Sequence, residues 1–155
     1  MSLEIVATSD RPDLAPAVAG RLWDEFWRRN GHSYEATLSA VVGSVTARPM
    51  PRTFILLDAG EAVGTASLAA TDLEARPDLS PWLAGVFVAP AKRRHGHAAR
   101  LIAAVECEAR NLSFSTLWLY TRSAERVYAK VGWRTVENVL HTGNTYALMR
   151  RDLTV

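Results

Sequence analysis

The chain has 155 residues, 48% of them hydrophobic and 22% charged, which suits one soluble globular domain and excludes a fibrous or disordered chain. With 18 basic residues against 16 acidic, the net charge is +2, too small by itself to argue for a nucleic-acid partner. All of the basic residues except Lys92 and Lys130 are arginine, so the informative question is where the arginines gather.

Leu3 to Ala7 is a short apolar run, read as a first strand, and the residues before it lack the basic and apolar blocks of a signal peptide. Ser9-Asp10-Arg11-Pro12 opens a helix, and Leu14, Val18, Leu22 and Phe26 recur every four residues along it. Asn30-Gly31 stops it. A second helix is expected from Tyr34 to Val45, closed by Pro49 and Pro51. The pattern then turns β-rich: Thr53 to Leu57 and Ala62 to Ala70 make a hairpin around Asp58-Ala59-Gly60-Glu61. Asp72 to Pro81 is a polar loop, and Trp82 to Val88 (WLAGVFV) is a strand apolar on both faces. A basic loop, Pro90 to His97, leads into a helix from about Ala98 to Arg110. Strand Leu117 to Tyr120, helix Ser123 to Val131, a turn at Gly132-Trp133 into further strand, and a terminal strand from Asn144 to Leu153 complete the chain. No apolar run approaches the ~20 residues of a membrane span, so no membrane is expected and the cytoplasm is the expected location. The single cysteine, Cys107, precludes an internal disulfide and is read as packing or a bystander.

The basic loop carries the clearest chemistry. A helix N-terminus offers unpaired N–H groups and a partial positive charge, which together suit a phosphate. Gly96 and Ala98 allow close approach of an anion, and Lys92, Arg93 and Arg94 add charge, arginine with forked donors. The glycine patterns of a Walker loop and of a dinucleotide fingerprint are both absent. His95 and His97 have no third ligand beside them, so no metal is expected. A nucleic-acid reading of the arginines lacks a reading helix and interleaved aromatics.

The order Pro90, Arg93, Gly96, Ala98 after an apolar strand resembles the acetyl-CoA loop of the GCN5-related N-acetyltransferases. LWLYTRSAERVYAKVGW, thirty residues on, resembles that family's second half through Ala124, Tyr128, Lys130 and Gly132-Trp133. The resemblance implies an α+β fold, with a mixed central sheet whose two middle strands splay apart between flanking helices. It implies acetyl-CoA as co-substrate and direct transfer of the acetyl group to a primary amine of a small molecule or peptide in a ternary complex. Phe87 and Val88 would meet the pantetheine arm through their backbone. Arg93, Arg94, His95, Gly96, His97 and Ala98 would hold the pyrophosphate, and Tyr128 would protonate the departing thiolate. Two positions depart from the family: Arg94 stands where glycine is usual, and Thr121 where asparagine is frequent, its hydroxyl free to bond the cofactor or backbone. A non-catalytic CoA-binding sensor on the same fold is the alternative reading.

No acid lies within Trp82 to Val88, so the general base is open, and Asp72, Glu74 and Asp78 are the nearest carboxylates in sequence. By resemblance the acceptor meets that loop and the first two helices, where Trp23, Trp27, Phe26, His32 and Tyr34 gather. Trp27 and Tyr34 with Asp72 and Glu74 would suit an amine through cation–π and charge contacts. The same aromatics would equally suit a homodimer interface. His32 and His141 have no partner identifiable from sequence and read as surface or loop residues.

Overall fold

The computed structural model describes residues 3–29, 31–46 and 49–154. Strands β1 (Leu3–Ala7), β2 (Arg52–Asp58), β3 (Glu61–Ala69), β4 (Trp82–Val88), β5 (Thr116–Thr121), β6 (Arg134–His141) and β7 (Asn144–Asp152) form one sheet. Their order is β1-β2-β3-β4-β5-β7-β6. Every neighbouring pair is antiparallel except β4 and β5, which run parallel. The helices are α1 (Ala15–Leu22), α2 (Tyr34–Thr46), α3 (His97–Asn111) and α4 (Glu125–Ala129). The mixed α+β architecture expected from the sequence is therefore present.

Strand alternation distributes the core between two faces. On one face α3 lays Leu101, Ile102, Val105 and Ala109 against Leu56, Leu117, Leu119 and Met149. On the other, α1 and α2 bring Val18, Leu22 and Val41 onto Ile55 and Leu57. A smaller cluster on that second face joins Trp82, Leu73 and Leu148, with Trp118 and Tyr120 against them.

Three boundaries differ from expectation, two of them for identifiable reasons. The first helix gives way after Leu22 to a π turn, Trp23–Trp27, in which the Arg28 N–H donates to the Trp23 carbonyl at 2.8 Å. Apolar residues spaced by four lag behind a 3.6-residue turn, and one wider turn absorbs the lag. The side chain of Phe26 and the stop residue Asn30 lie outside the described residues. Helix α4 is shorter than Ser123 to Val131, because the Thr121 hydroxyl accepts from the Ala124 N–H at 3.1 Å and holds the preceding residues in a turn. Helix α3 begins one residue early, at His97.

The feature that positions the site is the seam between β4 and β5. Only Trp82 and Trp118 are in register across it, the Trp118 N–H donating to the Pro81 carbonyl at 3.1 Å. Beyond that pair β4 bulges against β3, where Thr65 faces Phe87 but Ser67 faces Ala84. Gly85 supplies the left-handed backbone (φ +60°) that the bulge requires, and the Thr65 hydroxyl donates to its carbonyl at 2.9 Å. The extra residue switches strand parity: Leu83 before it, and Val86 and Val88 after it, all pack toward α3. That switch is why WLAGVFV reads as apolar on both faces, and the strands part beyond it.

Candidate active site

A cleft of about 830 Å³ opens at this divergence. Its walls include Val86, Phe87 and Val88 of β4, the loop residues Arg93, Arg94 and Gly96, His97 and Ala98 of α3, and Tyr128 of α4. The two sequence motifs thus line one space. The Ala89 N–H turns toward β3 and bonds the Val63 carbonyl at 2.8 Å. By backbone alternation the Val88 N–H faces the gap, whereas Phe87 turns its backbone toward Thr65, its partner in register. The Val88 carbonyl accepts from Arg93 Nε at 2.9 Å. Of the two strand residues, Val88 therefore presents its N–H to the cleft, and Phe87 contributes a wall.

The loop's cations are put to different uses. Lys92 pairs with the buried Asp58 carboxylate at 3.1 Å, which ties the loop to the end of β2. Arg93 reaches back to Val88. Arg94 is exposed on the cleft wall and adopts φ +68°, the left-handed conformation a glycine would take without cost. His95 donates from Nδ1 to the Arg93 carbonyl at 2.8 Å and stacks on His97, ring centroids 5.7 Å apart. Gly96, at φ +77°, caps α3 with no side-chain bond to its first turn. The leading N–H groups of α3 therefore face the cleft without side-chain partners, an anion site by helix geometry. His97 is buried, and its Nδ1 has no hydrogen-bond partner among the described residues. An orphan of that kind costs about 1–3 kcal/mol and points to a ligand that satisfies it.

Tyr128 projects from α4 into the same cleft, its ring 6.2 Å from that of Trp133. Burial pushes its hydroxyl up to about 12, so it enters any reaction at neutral pH as a proton donor. Thr121 spends its hydroxyl on the Ala124 N–H, the backbone option of its two. Cys107 is exposed ten residues along α3, roughly 15 Å from the helix start, so it neither packs in the core nor reaches the cleft.

The loop acids separate clearly. Arg76 binds Asp78 at 3.0 Å and also Glu137 of β6, which commits Asp78 and clamps the loop to the sheet edge. Asp72 has no ion pair among the described residues. Its surface is open to water, yet the protein mass around it raises its carboxyl to about 6 by burial. The charges of Asp72 and Glu74 reach Tyr120, whose hydroxyl is pushed up to about 12, first by burial and then by those neighbours and Tyr146.

Trp27 and Tyr34 occupy the junction between α1 and α2. Trp27 lies 5.7 Å from the His32 ring, and Tyr34 lies 6.1 Å from Trp23, whose Nε1 donates to the His32 carbonyl at 2.8 Å. Among the described residues no ring contact or hydrogen bond joins either to Asp72 or Glu74. His141, unassigned from sequence, is not a loop residue: it ends β6 within 5.6 Å of Tyr120 and 5.7 Å of Tyr146. Sequence reading missed Tyr120 and Tyr146 as well. The available signal was aromatic residues at alternate positions of strands whose opposite faces are aliphatic. Among the described residues no cluster could hold a metal ion, and no helix is long and apolar enough to cross a membrane.

Against this geometry, the family model described as Acetyltransferase (GNAT) family matches residues 19–133. The solved structure of aminoglycoside 6'-acetyltransferase type Ii superposes with a TM-score of 0.78 at 16% identity, over 100% of this chain and 99% of that one. An N-acetyltransferase from Staphylococcus aureus Mu50 gives 0.75 at 12% identity, over 99% and 100%. A GNAT family acetyltransferase from Elizabethkingia anophelis, solved with acetyl-CoA bound, gives 0.53 at 17% identity, over 66% and 76%. Identities this low speak to the fold. No curated protein matches the sequence.

Proposed function

Because the chain belongs to the GNAT family of acetyltransferases, we propose that it transfers the acetyl group of acetyl-CoA directly to a primary amine of a small molecule or peptide, both substrates bound at once. One observation carries the reading. The uncapped N-terminus of α3 and Tyr128 line a single cleft along the end of β4, the strand that pairs with parallel β5 through one registered pair.

The residues present fit the co-substrate. The leading N–H groups of α3, with Gly96 and Ala98 beside them, receive a pyrophosphate, and Arg93 and Arg94 add charge at the rim. The orphaned Nδ1 of His97 supports the same assignment, since a polar group entering the cleft would satisfy it. Acetyl-CoA supplies an activated acyl carbon. The Val88 N–H, directed into the gap, stabilises the charge that grows on the thioester oxygen. Tyr128, kept protonated by burial, delivers its proton to the departing sulfur. A phenol at about 12 exceeds an ordinary thiol near 8.5, but a thiolate forming in the same apolar cleft is raised as well, which narrows the gap. Holding the amine and thioester together removes much of the entropic barrier.

Two measurements test the reading. Acetyl-CoA at a hundredfold excess over its Kd should stabilise the fold by about 2.7 kcal/mol, roughly 5–10 °C in Tm for a chain of this size. Tyr128→Phe should lower kcat at least tenfold, about 1.4 kcal/mol in the barrier, with little change in that thermal shift. No shift with acetyl-CoA removes the reading; a shift without turnover of any amine leaves a CoA-binding sensor.

A further inference from the structure

On the sheet face opposite α3, three strand ends bring together the rings of Tyr120, Tyr146 and His141. Centroids lie 5.3 Å apart for the two tyrosines, 5.6 Å for Tyr120 and His141, and 5.7 Å for His141 and Tyr146. Trp82, fully buried, supports Tyr120 from beneath at 6.1 Å. All three outer rings are partly exposed. Among the described residues neither tyrosine hydroxyl makes a hydrogen bond, so this is a wall with an open front and not a closed core.

Leu73, buried in one cluster with Trp82 and Tyr120, places its neighbours Asp72 and Glu74 beside Tyr120, whose hydroxyl feels their charge. The faces of aromatic rings are themselves electronegative, so carboxylates beside them are unfavourable until a cation arrives. Arg76 supplies a cation to Asp78 of the loop and to Glu137, but among the described residues neither Asp72 nor Glu74 has an ion pair. The nearest arginine on β7, Arg150, lies over Trp118 at 5.7 Å, four residues from Tyr146 and hence about 13 Å along the strand. Tyr120 also adjoins Thr121 at the parted end of β5. An occupant of the wall therefore reaches the gap from the side opposite Tyr128.

We propose that this wall is the acceptor site, that it selects a cationic amine free of carboxylate groups, and that Asp72 receives the proton the ammonium must shed. The inference rests on the acetyltransferase reading above. One proton passes from nitrogen to an Asp72 oxygen and on to solvent. The freed lone pair forms the C–N bond as the C–S bond breaks. Tyr128 protonates the sulfur, and the second nitrogen-bound proton restores the phenol. Tyr120, Tyr146 and His141 hold the rest of the cation through their ring faces.

The test compares 1,4-diaminobutane with 4-aminobutanoate, equal in length but ending in an ammonium or a carboxylate. Ring signals of Tyr120, Tyr146 and His141 in an NMR titration without co-substrate should move with the diamine and stay with the amino acid. In turnover the diamine should win by at least about tenfold in kcat/KM, a difference of about 1.4 kcal/mol. Tyr146→Leu should raise the diamine KM with little effect on kcat, and Tyr146→Phe should recover most of the loss. Asp72→Asn should lower kcat chiefly. Equal use of both probes overturns the proposal. So does parental behaviour of Tyr146→Leu and Asp72→Asn proteins that retain the parental acetyl-CoA thermal shift. The ring shifts need no acetyl-CoA, so they stand apart from a failure of the acetyltransferase reading, which absence of that thermal shift would register.

Discussion

Asp72 titrates near 6 instead of 3.8 because the protein around it disfavours its charge. A carboxyl raised on folding binds more protons in the native state than in the unfolded chain between those two values. Its contribution to stability is therefore largest at the acidic end and declines as pH rises through about 6. Asp72→Asn should leave Tm unchanged at pH 4 and raise it at pH 7.5. The gain is on the order of 1 kcal/mol or less, since the group is open to water. If Asp72 accepts the ammonium proton as proposed, kcat/KM should show an acidic limb near pH 6, below which Asp72 is protonated and cannot accept. Tyr120 feels its charge, Tyr146 and His141 ring Tyr120, Glu74 lies two residues on, and Arg76 and Arg150 are the cations nearest along the loop and β7; Asp72→Asn should abolish the limb. Arg94 poses the complementary case. Its φ of +68° costs about 1–2 kcal/mol, against the 0.5–1 kcal/mol of backbone entropy that glycine forfeits on folding. Arg94→Gly should thus stabilise the free protein by roughly 0.5 kcal/mol while weakening acetyl-CoA severalfold, read by thermal melting and calorimetry.

At the scale of elements, α3 both lines the cleft with its N-terminus and supports Tyr128 through Glu106 and Trp133. The buried Glu106 accepts from Trp133 Nε1 at 3.1 Å and lies 3.9 Å from Arg151 Nε. The Trp133 N–H in turn donates to the Tyr128 carbonyl at 3.1 Å. Glu106→Ala leaves the indole N–H unsatisfied and should cost about 1–3 kcal/mol in stability. Because the indole also abuts the tyrosine ring, the variant should lower kcat while KM for acetyl-CoA stays within about twofold; Glu106→Gln, which keeps an acceptor, should recover most of it. Local signals made much of this readable in advance. WLAGVFV, the proline and arginine before α3, and Gly132-Trp133 are contiguous segments whose composition declares the element. The aromatic wall was not readable, because Tyr120, His141 and Tyr146 become neighbours only through the order β5-β7-β6, a pairing no short window contains. Thr121 and α4 lie between these cases: the hydroxyl is plain in the sequence, but its use in delaying the helix depends on turn geometry.

Taken whole, the molecule is two half-sheets, β1 to β4 and β5 with β7 and β6, joined in the backbone by one registered pair. The halves are further held by α3, whose buried face touches Leu56 and Val63 on one side and Leu117, Leu119 and Met149 on the other, and on the opposite face by Trp82 packed with Leu148. The arginine at the far end of α3 adds a bond from Arg110 Nε to the Leu153 carbonyl at 3.2 Å. A seam with so few hydrogen bonds opens at low cost, and sub-global opening there should dominate amide exchange in the free protein. Acetyl-CoA would lie along this seam, with its phosphates on α3 and its thioester at Val88. Binding should therefore slow exchange on both half-sheets together, at Val86 to Val88 and at Leu119 to Thr121, by up to the factor its binding energy allows, roughly a hundredfold at a hundredfold excess over Kd. The paired strands β2 and β3 should change less, since their ladder is already complete. Protection confined to the loop and α3, with β5 unaffected, would mean that the ligand binds only the basic loop and leaves the gap between the strands empty.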